Sequence, residues 1–173
     1  MTQSNTELFA GQVIYCGIDV HKKQWNICVY HCGREIAHFV TSPDPSNVAE
    51  QLQSKYPGAT INSAYEAGFS GFEAHRILTA RGINNIVINA ADVPTMGKER
   101  SFKSDKIDCR KIARSLANNS LEPIYIPSRE QLRLRNLVRY ETQLVRHISS
   151  VKNQLKSFLY FNGQFPNPLV ILI

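Results

Sequence analysis

An aspartate stands near the end of an otherwise apolar run, Val13-Ile14-Tyr15-Cys16-Gly17-Ile18-Asp19-Val20. A run this short and rich in β-branched residues reads as a buried strand. A carboxylate in such a strand costs several kcal/mol unless it is paired or meets a cation. Asp19 therefore belongs to a site. Three more acidic residues fall where an α/β chain would bring them to the same end of a sheet. Glu66 closes the run Thr60-Ile61-Asn62-Ser63-Ala64-Tyr65, and Asp105 and Asp108 open a helix three residues apart, which puts them on one helical face. Four carboxylates in one place repel one another, and hard divalent cations relieve that repulsion through oxygen ligands.

The elements between these residues set the fold. Trp25, Ile27 and Val29 alternate on one face of a second strand, and Glu35 to Val40 forms a third after the turn His31-Cys32-Gly33-Arg34. Asp44 caps a helix with Pro45 at its first position and Val48 and Leu52 on its buried stripe. Ser70 is placed to cap a helix carrying Phe72, Ile77 and Leu78. Asn85 to Asn89 is a further short strand. Residues 90–103 form a loop, and Ser104 caps the helix of the two aspartates, with Ile107, Ile112 and Leu116 on its apolar side. The order β-β-β-α-β-α-β-α predicts a mixed sheet with flanking helices, the order of the ribonuclease H-like fold. Tyr15, Trp25 and Phe72 are core residues in this scheme.

Pro123 and Pro127 bracket a linker, and Ser128 with Gln131 forms a capping box for a last helix. From Leu134 that helix keeps a heptad stripe through Leu137, Leu144, Ile148, Val151, Leu155 and Phe158, broken only by Glu141. So narrow a seam calls for a partner helix, which predicts homo-oligomerisation through Leu137, Leu144, Ile148, Val151 and Leu155. The resulting division is a flexible N-terminus (1–11), a catalytic domain (12–122), a linker (123–127), a long basic coiled-coil helix (128–162) and the start of a further C-terminal region (163–173). The apolar end Leu169 to Ile173 suggests a piece of a longer protein.

Charge narrows the partners. The net charge is +6; residues 128–173 hold 7 Lys/Arg against 2 Asp/Glu, while residues 1–127 hold 13 against 12. A second basic cluster, Lys98, Arg100, Lys103, Lys106, Arg110, Lys111 and Arg114, surrounds the helix aspartates. Basic groups around carboxylates suit a polyanion held through cations, and Arg133, Arg139, Arg146 and Lys152 add a rail for phosphates. No signal peptide and no membrane span is visible, so a cytoplasmic location is expected. The four cysteines lack the rhythm of a secreted scaffold and are expected to be reduced; a metal knuckle of Cys28, His31 and Cys32 is the lesser alternative.

Three blocks carry a resemblance: Gly17-Ile18-Asp19-Val20-His21-Lys22, Tyr65-Glu66-Ala67-Gly68, and Ser104-Asp105-Lys106-Ile107-Asp108-Cys109-Arg110-Lys111-Ile112-Ala113. Together they resemble the DEDD transposases of bacterial insertion sequences, relatives of the Piv invertase. The resemblance implies a RuvC-like domain whose catalytic and metal-binding tetrad is Asp19, Glu66, Asp105 and Asp108. It also implies Mg²⁺, with Mn²⁺ as substitute, and site-specific recombination of DNA, in some members guided by a structured RNA. A nucleophilic serine sits in a C-terminal domain of such proteins, and none of Ser115, Ser120, Ser149 or Ser150 has a motif for that role. Two other readings of the residues stay open, a self-sufficient junction nuclease and a non-catalytic nucleic-acid-binding regulator. A sugar-kinase-type ATPase also begins with Gly-Ile-Asp, but Val20-His21-Lys22-Lys23 lacks its glycine-rich phosphate turn.

Overall fold

The computed structural model describes residues 8–93 and 105–165, with the side chains of 105–107 outside that description. Five strands, β1 (Val13–Val20), β2 (Trp25–His31), β3 (Arg34–Thr41), β4 (Thr60–Glu66) and β5 (Asn84–Ile88), form one sheet in the order β3-β2-β1-β4-β5. β2 runs antiparallel to both β1 and β3, whereas β4 lies parallel to β1 and β5 parallel to β4. That order and those directions are the ribonuclease H-like arrangement expected from the sequence. The two parallel crossovers are made by α1 (Pro45–Lys55) and α2 (Glu73–Ala80).

Strand periodicity divides the sheet into two faces. Ile14, Cys16 and Ile18 of β1 join Trp25, Ile27 and Val29 of β2 under Val48, Ala49 and Leu52 of α1 and Ala74 and Leu78 of α2. The opposite face is covered by α3 (Asp105–Ala117): Cys28 packs on Cys109 and Ala113, and Ala64 and Ile88 pack with Ile112. α3 comes so close to the sheet that a Cβ on Gly17 would overlap the Cys109 carbonyl oxygen and the Ala113 amide nitrogen. Glycine is required there because backbone meets backbone.

Several local expectations hold. Asp44 accepts from the Ser46 N–H at 2.9 Å and caps α1, with Pro45 beginning it. Cys16, Cys28 and Cys109 are buried, and Cys32 is exposed. Ser70 does not cap α2. That helix begins at Glu73, and the phenol of Tyr65 takes over, accepting from the His75 N–H at 3.2 Å and donating to the Gly71 carbonyl at 2.9 Å. A buried tyrosine on the neighbouring strand reaches the first turn better than a serine three residues upstream. The stretch after β5 opens with a short 3₁₀ turn, Ala90–Asp92, capped by Asn89. Ser104, Lys98, Arg100 and Lys103 lie outside the described residues, as do the side chains of Asp105, Lys106 and Ile107.

The chain divides into two compact units, 1–126 and 127–173. Residues 123–126, read as linker, attach to the first: Ile124 donates its N–H to Val87 at 2.8 Å, and Ile124 and Ile126 pack on the sheet core. The second unit is the helix α4 (Arg129–Phe161), started by the expected capping box, in which Ser128 Oγ accepts from the Gln131 N–H at 3.1 Å and the Ser128 N–H donates to Gln131 Oε1 at 3.0 Å. No side chain of α4 is buried. No helix among the described residues is long and apolar enough to cross a membrane.

Candidate active site

The parallel register of β1 and β4 brings two of the four carboxylates level. Pairing runs from Val13 opposite Thr60 to Ile18 opposite Tyr65, so the next residue on each strand is Asp19 and Glu66. Paired residues of adjacent strands project from the same face. Asp19 follows Gly17, and Glu66 follows Ala64, at the two-residue spacing that points to α3. Both line one cleft of about 110 Å³ together with Ile18, Val20 and the loop Ala67 to Ser70. The site stands at the carboxyl ends of parallel strands, where α/β sheets place their ligands.

α3 crosses this face against the direction of β1. Cys109 and Ala113 lie over Gly17, whereas Tyr30, paired with Tyr15 at the other end of β1, lies within electrostatic reach of Arg114 and Arg110. The N-terminal turn of α3, which holds Asp105 and Asp108, is thus at the end of the sheet where Asp19 and Glu66 stand. Asp108 is half-buried and lies 3.8 Å from Lys111 Nζ, one turn along the same helix. Among the described residues no three of His, Cys, Asp and Glu form a ready-made metal cluster. The donors that do face the cleft are carboxylate oxygens, the ligand type that Mg²⁺ and Mn²⁺ prefer. The set fits a hard cation. It fits a soft one poorly, because Cys28 is turned onto Cys109 under α3, and Cys32 instead has His31 Nε2 at 3.1 Å.

Three contacts were not legible beforehand. His21 Nε2 lies 2.9 Å from Asp19 Oδ2, with the Asp19 side chain 18% exposed. Strand spacing could have signalled this, since residues 19 and 21 share a face. Asn26 is the cross-strand partner of Asp19 and is 5% exposed, and its Nδ2 has no hydrogen-bond partner among the described residues. Cys28 and Cys109 are hydrogen-bonded to each other through their side chains, which together with burial pushes the Cys28 thiol far up.

Two members of the basic cluster, Arg110 and Lys111, also meet carboxylates of the unit itself. Arg110 grips Glu35 of β3 with Nε and Nη2, the second at 3.0 Å from Oε1. These paired hydrogen bonds hold the Glu35 carboxyl below the usual carboxylate range, against an opposing effect of burial. Lys111 is buried beside Asp108. Both positions follow from α3 lying flat on the sheet, so basic residues on its underside are drawn to carboxylates of the unit itself. Arg114 is half-buried, and Arg133, Arg139 and Arg146 are exposed along α4, with Lys152 half-buried.

Several known proteins are similar to this chain. The family model DEDD_Tnp_IS110, described as Transposase, matches residues 16–162. Two transposase-type proteins of Sinorhizobium fredii are similar: y4rJ is 36% identical over 102 residues, covering 53% of this chain and 26% of its own length. The other, y4qE, is 26% identical over 156 residues, covering 87% of this chain and 39% of its own length. The chain thus spans well under half the length of these curated relatives. Among solved structures, T. thermophilus RuvC in complex with Holliday junction substrate aligns with a TM-score of 0.47 and 12% identity, over 65% of this chain and 100% of that one. The fold assignment itself stands on strand order and direction. With the family model matching from the first strand to the end of α4, the chain belongs to the DEDD transposase family of the IS110 type, and its sheet unit has the ribonuclease H-like strand order.

Proposed function

We propose that this chain carries the divalent-metal-dependent DNA-cleaving part of a transposase, with Asp19, Glu66, Asp105 and Asp108 as its metal-holding catalytic residues. The observation that carries this reading is the level placement of Asp19 and Glu66 on parallel strands in one cleft, beneath the end of α3 that bears the other two aspartates. When bound, a pair of Mg²⁺ ions supplies Lewis acidity at a phosphodiester. The protein's own part is placement. Backbone pairing fixes the first two carboxylates, and the glycine contact at residue 17 fixes the distance of α3 from them. A rigid sheet fixes the backbone positions from which these carboxylates extend, which limits the reorganisation left to their side chains as charge develops.

DNA is the substrate in this proposal. Arg133, Arg139, Arg146 and Lys152 on α4 supply phosphate contacts to it or to a structured guide RNA, with Lys98, Arg100, Lys103, Lys106 and Arg114 nearer the carboxylates in sequence. The stripe of Leu137, Leu144, Ile148, Val151 and Leu155 joins copies of the chain through α4. The charge imbalance of the second unit and its exposed apolar positions support these two roles. A cytoplasmic site of action goes with a DNA substrate.

Titration of the protein with Mn²⁺ tests the core of this reading. Wild type is expected to bind the ion, and Asp19→Asn, which keeps shape and removes charge, is expected to lose binding and DNA strand cleavage while melting no lower. Undiminished Mn²⁺ affinity in Asp19→Asn would sink the proposal.

A further inference from the structure

Asn26 has no evident folding reason for its place beside Asp19. It sits on β2 directly across from Asp19, on the face that α3 covers, in a row with Cys28. Alternation would make position 26 a polar residue on a solvated face, yet it is 5% exposed. Its Nδ2 is fully buried and donates to nothing among the described residues. A buried donor without an acceptor is a net cost to folding, and an apolar residue of the same size would relieve it. A strand interior also disfavours asparagine. Folding alone gives no reason for this side chain.

The nearest chemistry that would use it is the carboxylate across the strand pair. Directly opposite residues have Cβ atoms about 4.5–5.5 Å apart, within reach of an amide and a carboxylate. Asp19 Oδ2 is taken up with His21 at 2.9 Å. A carboxylate that turns to ligate a cation presents a different edge to its surroundings, and ligating groups are commonly oriented by a hydrogen bond from a neighbouring donor. An amide NH₂ is such a donor and, unlike lysine or arginine, adds no charge that would compete with the cation.

We propose that Asn26 is a positioning residue of the carboxylate site, its Nδ2–H donating to Asp19 in the cation-loaded protein and fixing the orientation of that ligand. This rests on the reading of Asp19 as a metal-holding residue and adds a residue that the tetrad does not include. It assigns Asn26 no contact with substrate.

The experiment compares wild type with Asn26→Leu and Asn26→Val, the second suited to a strand if the first packs badly. Mn²⁺ affinity is read by calorimetry and by electron paramagnetic resonance of the bound ion, and thermal unfolding is measured without metal. The expected result is a loss of Mn²⁺ affinity of about 10–100-fold, with a metal-free melting temperature at or above that of wild type. Equal Mn²⁺ affinity in wild type and variants overturns the inference while leaving the carboxylate site intact. A clear fall in metal-free melting temperature in both variants, or failure of both to fold, also overturns it, because the side chain is then structural. If wild type itself binds no Mn²⁺, the underlying site reading fails, and this inference with it.

Discussion

In the sheet unit Ile14, Ile18, Ile27, Leu52 and Leu78 have no exposed surface, whereas on α4 Leu137, Leu144 and Ile148 stand 65%, 43% and 54% exposed. Both regions are regular, and both carry apolar residues at the right period. They differ in what covers those residues. The sheet has helices on both faces drawn from its own sequence, so burial is complete before any partner arrives. α4 has 33 residues, about 50 Å of helix, comfortably above the length at which isolated helices become marginal. Its length favours the helix, but its stripe gains nothing from being apolar until it meets another surface. Burial is thus completed within the sheet unit and left open on α4, and substitutions should separate the two.

The largest effect is expected at Gly17. Gly17→Val adds atoms where the Cys109 carbonyl and Ala113 amide already stand, and overpacking against backbone that cannot yield costs about 3 kcal/mol or more. The sheet unit should lose its cooperative unfolding transition while circular dichroism still reports α4 helix. A variant that melts like wild type would show that α3 is free to lift. An intermediate effect is expected from Leu144→Glu combined with Ile148→Glu. Sedimentation should show self-association weakened by about a hundredfold, with the unfolding of the sheet unit unchanged. Unaltered sedimentation would remove the reason for an apolar stripe on α4 and with it half of the comparison.

The smallest effect concerns the Arg110 and Glu35 pair that pins α3 to the outer part of the sheet. Hydrogen bonding from Arg110 lowers the Glu35 pKa in the folded protein. A lowered carboxyl contributes stability that is present above its unfolded pKa, about 4.3, and is lost as pH falls through the folded value. With the Arg110 side chain 42% exposed, the pair is worth about 1 kcal/mol after solvent screening. Glu35→Gln should thus melt below wild type at pH 7, and the gap should close below pH 4. A gap that widens on acidification would reverse the sign of this contact.

How far the sequence reveals these features depends on range. Asp19 was legible because a charge inside an apolar run contradicts its surroundings, and Glu66 because it ends one. The strand order followed from three hairpin-linked strands and two crossovers, since few topologies satisfy right-handed connections. Asn26 was invisible for the opposite reason. Its strand alternates as a half-exposed strand should, and only the descent of α3 onto that face turns position 26 into a buried one. The ion pairs of Arg110 and Lys111 were hidden similarly, since their partner carboxylates are Glu35, 75 residues away, and Asp108, one turn back. Ser70 had the right chemistry for a cap, but Tyr65, whose phenol burial pushes up to about 12, held the position from the strand side. Local signals survive in a sequence. The identity of what lies across a helix and sheet contact does not.

The parallel ladder between β1 and β4 also determines how the site can fail. Because Asp19 and Glu66 are kept level by main-chain pairing rather than by loops, their spacing has the lifetime of the fold. Amide protons of the two strands should exchange with solvent only when the whole sheet opens. The pair's backbone frame then has no partly assembled form: wherever the sheet exists, residues 19 and 66 stand level.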